Sequence, residues 1–251
     1  MTVVLTVGSR SVTAEEVLPL LAGYQMLPKF LQEILIDEAI ADVECSPEEI
    51  ETACNTLYEQ NNIVEEEARK AWLHQYGMTP AQLESLATRE LRIEKFKQAT
   101  WGTKLESYFL RRKDKLDKVI YSLIRTKDAG IARELYFRIL EGEQSFGELA
   151  REYSQGVESQ TDGLIGPVEL SVPHPILAQV LASSQPGELS PPTNIGEWIV
   201  LARLEKFIPA QMDDAMRSRL LNECFATWLQ EQLANVDLSS IRKTPEPSIA
   251  P

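Results

Sequence analysis

Residues 117–207 constrain this chain more than any other stretch. They open with DKVIYSLIRTKD and close with GEWIVLARLEKF, two apolar runs rich in β-branched residues with helical patterns between them. Residues 119–125 read as a strand, and Asp128 then caps a helix over 129–141 that Gly142 closes. FGELAREY at 146–153 predicts a second short helix. Gly163 and Gly166 bracket Leu164 and Ile165 in a loop whose backbone needs permissive dihedrals. Residues 175–183 form a third helix, Pro186-Gly187 a turn, and residues 197–204 the closing strand. Strands separated by helices in a segment of this length predict a small α+β domain around a mixed sheet.

The same order of residues resembles the parvulin family of peptidyl-prolyl isomerases. The resemblance is carried by YSLI followed by ARELYFRILEG, SFGELAREYS, GLIGPV, Pro175-x-Leu177, PGELSPP and G-x-W-I-V, in that sequence. It implies a binding site made of two histidines, a Cys or Asp beside them, and an apolar proline pocket. Carried over position by position, the first histidine falls at Tyr121. The second falls on the closing strand at Trp198, after Gly196-Glu197, and the Cys/Asp position falls at Gly156, after Ser154-Gln155. All three polar positions are therefore substituted here. The pocket positions implied are Ile165, Val172 and Ile176, with Thr193 at a position that bears a hydroxyl in the family and His174 in the loop beside the pocket. Such a site needs no metal or cofactor, and none is expected.

Outside this segment the chain is patterned for helices. Residues 2–7 read as a strand turned by Gly8-Ser9-Arg10, and Thr13 with Glu16 forms a capping box that opens a helix. Ser46-Pro47-Glu48-Glu49 and Thr79-Pro80-Ala81-Gln82 repeat that start signal. A long apolar pattern then runs from Leu83 through Phe96 and Trp101 to Phe109. Residues 211–234 form one amphipathic helix with Met212, Met216, Leu220, Phe225, Trp228, Leu229 and Leu233 in its stripe, and that stripe must be covered. A helical body built from both ends and carrying an inserted parvulin-like domain resembles the SurA, PrsA and trigger-factor chaperones. The expected organisation is a SurA N-like helical domain over 1–116 and a parvulin-like domain over 117–207. A helix over 208–234 returns to the first domain, and 235–251 is a flexible tail.

Composition narrows the partners. A net charge of −13 disfavours nucleic acid and anionic membrane, and no apolar run is long enough to insert in a bilayer. Three cysteines without a C-x-x-C spacing fit a reducing compartment. The first residues lack the charged flank and apolar length of a signal peptide, so the expected location is cytoplasmic.

Two functional readings follow from the resemblance. One is a folding factor that binds unfolded or proline-containing polypeptide and isomerises X-Pro bonds. The other is an escort that keeps the fold as a peptide-binding module without useful turnover, serving a dedicated client, a precursor peptide or a secretion system.

Overall fold

In a computed structural model of the chain the described residues are 2–237, and they form two compact units: residues 2–105 with 217–237, and residues 106–216. The tail expected over 235–251 lies outside the described residues from 238 onward.

The first unit is helical, with one hairpin. Strand β1 (Val3–Val7) pairs antiparallel with β2 (Arg10–Thr13), a second strand where the sequence was read only as a turn at Arg10 and a helix cap at Thr13. Helices α1 (Ala14–Gly23), α2 (Leu27–Ala39), α3 (Pro47–Gln60), α4 (Glu66–Tyr76) and α5 (Pro80–Trp101) follow. The start signals act as expected. Ser46 N–H donates to Glu49 Oε2 at 2.7 Å and Thr79 N–H donates to Gln82 Oε1 at 2.8 Å, so donors orphaned at each helix start find acceptors. The long apolar pattern is not one helix. A 3-10 turn at Gly102–Lys104 separates α5 from α6 (Leu105–Leu116).

The terminal helix α10 (Asp214–Ala234) supplies the cover its stripe demanded. Phe225, Trp228, Leu229 and Leu233 pack with Ile36, Ile40, Ile93 and Phe96 in one apolar cluster. Within it the Phe96 and Trp228 rings lie 5.3 Å apart and those of Phe225 and Trp228 5.6 Å apart. Lys97, 6% exposed, is tied down by Glu94 Oε1 at 2.5 Å and Asn222 Oδ1 at 2.6 Å, which satisfies its buried charge.

The second unit is built on a four-stranded sheet. Its strands are β3 (Lys118–Thr126), β4 (Leu164–Glu169), β5 (Thr193–Ile195) and β6 (Trp198–Ile208), in the order β4-β3-β6-β5. All three pairings are antiparallel, where a mixed sheet was expected. A crossover gives parallel neighbours when one helix returns the chain. Here β3 and β4 are joined by two helices, α7 (Ala129–Leu140) and α8 (Phe146–Tyr153), and a 3-10 turn at Val157–Thr161. Strand β4 was expected as loop. Its Gly166-Pro167 bulge hides the strand pattern, and Gly163 and Gly166 take φ of 81° and 118°, as the loop reading required. Helix α9 (Pro175–Ser183) completes the unit.

The unit is longer at both ends than the expected 117–207, for a local reason. Asp117 is buried, pairs with Lys113 at 2.8 Å, and accepts from the Ala210 N–H at 2.7 Å. One carboxylate thus holds the last turn of α6 and the segment leaving β6.

Two apolar layers cover the sheet. On one face Ile124 and Leu201 pack with Leu135, Phe146, Leu149 and Ala150 of α7 and α8. On the other, Val119, Tyr121, Leu123, Val200, Ala202 and Leu204 pack with Leu177 and Leu181 of α9. Phe146 is 2% exposed, whereas Leu140 on α7 is 61% exposed. Phe146→Ala should therefore cost about 3–5 kcal/mol and Leu140→Ala less than about 0.5 kcal/mol, measured by urea denaturation of the full chain.

Candidate functional site

Strand parity decides what shares a surface. On β3, Tyr121 and Arg125 point to the α9 side, because residues two and four apart fall on one face. Across the ladder Tyr121 stands opposite Ile165 on β4 and Leu204 on β6. Arg125 stands opposite Val200, which itself stands opposite Thr193 on β5. Trp198, two residues before Val200, is therefore the diagonal neighbour of Arg125. The guanidinium carbon lies 5.5 Å from the centre of the Trp198 ring, and Lys127 Nζ lies 4.8 Å from it.

The structure thus gathers Tyr121, Ile165 and Trp198 against one apolar layer, with Thr193 in register on the same face. Tyr121 is 5% exposed, and burial followed by the negative charge of Glu158 pushes its phenol above the ordinary range. The Thr193 hydroxyl is already spent, donating to the Pro191 carbonyl at 2.9 Å.

The remaining expected residues do not join this cluster. Val172 is 69% exposed in the loop before α9, and Ile176 is 43% exposed in its first turn. His174 is exposed and caps that helix, its Nδ1 accepting from the Ile176 N–H at 3.3 Å. Instead, Leu170, Ser171, Pro173, Pro175 and Ala178 line a separate cavity of about 480 Å³ with Asp114 and Lys115.

Gly156 reveals what the sequence reading missed. It precedes the 3-10 turn at ordinary φ, −126°, so conformational freedom does not explain it. Space does. A Cβ at this position would collide with the Arg125 guanidinium and the Glu158 carboxylate. Arg125 Nε stands 3.0 Å from Glu158 Oε1, and that carboxylate side chain is only 2% exposed. Ser154 Oγ–H donates to the same oxygen at 2.6 Å, while Ser154 Oγ accepts the Arg125 backbone N–H at 3.1 Å. The Gln155 N–H donates to the Arg125 carbonyl at 2.9 Å, fixing the turn to the strand end. An arginine inside an otherwise apolar strand, four residues after Tyr121, was the available signal for this pair. Glu158 offered none before the turn was known.

This arrangement offers an apolar floor and a fixed guanidinium. Its chemistry suits an apolar ring seated beside a hydrogen-bond donor. Residues 124–206 match a family model described as the rotamase, PPIC-type PPIASE domain.

The chain carries a PPIC-type peptidyl-prolyl isomerase domain.

The chain is also similar in fold to the peptidylprolyl isomerase PrsA of Bacillus cereus. They share 17% identity with a TM-score of 0.51, over 95% of this chain and 94% of that one. Two more distant similarities are to the foldase PrsA of Streptococcus pneumoniae (14% identity, TM-score 0.42, covering 95% and 96% of the two chains) and to a SurA-like chaperone structure of Campylobacter jejuni (16% identity, TM-score 0.37, covering 95% and 99%). Comparison with curated proteins gives no match. The matched segment begins within β3 and ends two residues before the end of β6, so Tyr121 lies before it and Arg125, Gly156, Glu158, Ile165 and Trp198 lie within it.

Restoring the family's side chain at position 156 should be harmful in this PPIC-type domain. Gly156→Asp is expected to lower stability by about 1–3 kcal/mol through overpacking, and Glu158→Gln in the same chain should not relieve the clash with Arg125; thermal unfolding checks both. Tyr121 gives a second test. Its raised phenol contributes stability that is present below the unfolded value of about 10 and is lost as pH rises through the higher folded value. The absorbance change of tyrosinate should therefore lack one late-titrating component in Tyr121→Phe; identical titrations of the two proteins would contradict the burial argument.

Proposed function

We propose that this chain is a folding factor whose PPIC-type domain binds X-Pro segments of unfolded polypeptide on the α9 face of its sheet and accelerates their cis/trans isomerisation. The observation that carries the proposal is the convergence of Tyr121, Ile165 and Trp198 on one face, beside a charged donor. Rotation about X-Pro faces a barrier of about 18–20 kcal/mol that arises from amide resonance. A site lowers it by holding the twisted amide better than either planar isomer. An apolar floor for the proline ring and controlled hydrogen bonds around the amide are sufficient for that.

The helical unit supports the client-holding half of the proposal. Val3, Val4, Leu5 and Val7 of β1 are each more than half exposed, between 53% and 63%. Leu5, Val7 and Val12 of the hairpin, with Val17, Leu20, Leu21 and Tyr24 of α1, line an apolar groove of about 380 Å³. Exposed apolar surface of this extent suits an extended, unfolded chain.

A second reading, an escort that binds peptide without turnover, is favoured by one observation: the three family positions for polar groups hold Tyr121, Gly156 and Trp198. Under that reading the client is dedicated, a precursor peptide or a component of an export system. We place either activity in the cytoplasm, the compartment that three cysteines without a C-x-x-C spacing suit. Fractionation of the native host, with recovery outside the cytoplasm, would overturn that placement.

A proline-limited refolding assay separates the two readings. Wild type should shorten the slow phase at catalytic amounts, and Trp198→Ala should reduce kcat/KM by about tenfold through lost floor contacts. Suppressed aggregation of a reduced, unfolded client without any change in the slow phase would establish the escort instead.

A further inference from the structure

The three substituted positions surround one ion pair, Arg125 with Glu158. Gly156 leaves room for the Arg125 guanidinium and the Glu158 carboxylate. Trp198 lies under the same guanidinium, and Tyr121 feels the charge of the same carboxylate. The two partners differ in exposure. The Glu158 side chain is 2% exposed, while that of Arg125 is 32% exposed. Burying a carboxylate is costly unless it is paired and hydrogen-bonded, and Glu158 has both the Arg125 charge and the Ser154 hydroxyl. Its effect is to hold a guanidinium at the edge of the apolar floor.

That guanidinium is not fully spent. Nε is buried against the Glu158 carboxylate at 3.0 Å, but the side chain as a whole is 32% exposed, so the outer part of the guanidinium is open to a ligand. The barrier to X-Pro rotation exists because the imide nitrogen lends its lone pair to the carbonyl. A donor directed at that nitrogen competes for the lone pair and is stronger in the twisted state, where the pair is localised, than in either planar isomer. Arginine is protonated throughout the physiological range, so it donates without a proton-transfer step.

We infer that Arg125 is the catalytic hydrogen-bond donor of this domain, presenting its guanidinium to the prolyl imide, and that Glu158 is its positioning residue. The inference rests on the isomerase reading above. No bond forms or breaks, and the guanidinium keeps its proton throughout.

The test uses the full chain, an Ala-Ala-Pro-Phe peptide, kcat/KM from exchange measurements, and peptide affinity from calorimetry. The variants are Arg125→Gln with Glu158→Gln, which leaves no lone buried carboxylate, and Arg125→Lys, which keeps the charge without the planar fork. The double variant should bind peptide within threefold of wild type and lose at least tenfold in kcat/KM. Arg125→Lys should fall between the two. A double variant within twofold of wild type, or one that loses rate only in proportion to affinity, would overturn the inference. If the double variant does not fold, an unchanged kcat/KM in Arg125→Lys overturns it and a severalfold drop supports it. A wild type with no turnover at all defeats the isomerase reading and the inference together, whereas an active wild type indifferent to Arg125 defeats the inference alone.

Discussion

Nine residues of β3, Lys118 to Thr126, pair with β6 without a gap on their own side, and the partner strand absorbs one bulge at Glu205. That ladder sets the parity of everything attached to it. Val119, Tyr121 and Leu123 face α9, and Ile124 faces α7 and α8. The bulge lets Leu204 and Phe207, three residues apart on β6, serve the same layer, which strict alternation would forbid. A one-residue slip would send Tyr121 and Arg125 to the wrong face and dismantle core and site together. Core packing and site geometry are thus consequences of a single register.

An ion pair stands where the family resemblance implies a small polar side chain. Removing the Cβ at position 156 frees a volume, and the volume is filled from two directions: by Arg125 from the strand and by Glu158 from the turn. The three changes relative to the family pattern are then physically linked. A side chain at 156 would exclude the ion pair. The aromatic ring of Trp198 gives the guanidinium a face to lie on, and Tyr121 is buried in the same apolar layer. An isomerase site asks only for differential binding of a twisted amide, so such an exchange of polar groups is chemically permissible.

Much of this was legible in the sequence where local signals are strong. The helices Phe146–Tyr153 and Pro175–Ser183 were read to the residue, because a capping box starts the first and a proline at its first position the second. The cover of α10 was legible from its stripe, although Leu221, 1% exposed and outside that stripe, was not. Strand β4 was hidden by Gly166-Pro167, residues that ordinarily mark a loop, and the break at Gly102 was masked by apolar residues continuing beyond it. Among the expected site residues, Tyr121 and Trp198 sit on strands whose pattern was plain, whereas Ile165 was reached only through the order of the family motif, its own strand being hidden. Val172, Ile176 and His174 sit in or beside a loop whose path no periodicity fixes. Arg125 and Glu158 are distant in sequence and meet only through the register of β3 and the turn after α8, information that exists in three dimensions alone.

The central claim is that peptide binds the α9 face of the sheet. A crystal structure of the chain with a proline-containing peptide tests it most directly. The account requires the proline ring against Ile165 and Trp198, with the Arg125 guanidinium within hydrogen-bond distance of the prolyl amide. A peptide seated instead in the cavity lined by Leu170, Pro173 and Pro175, with the Tyr121 face empty, would contradict it.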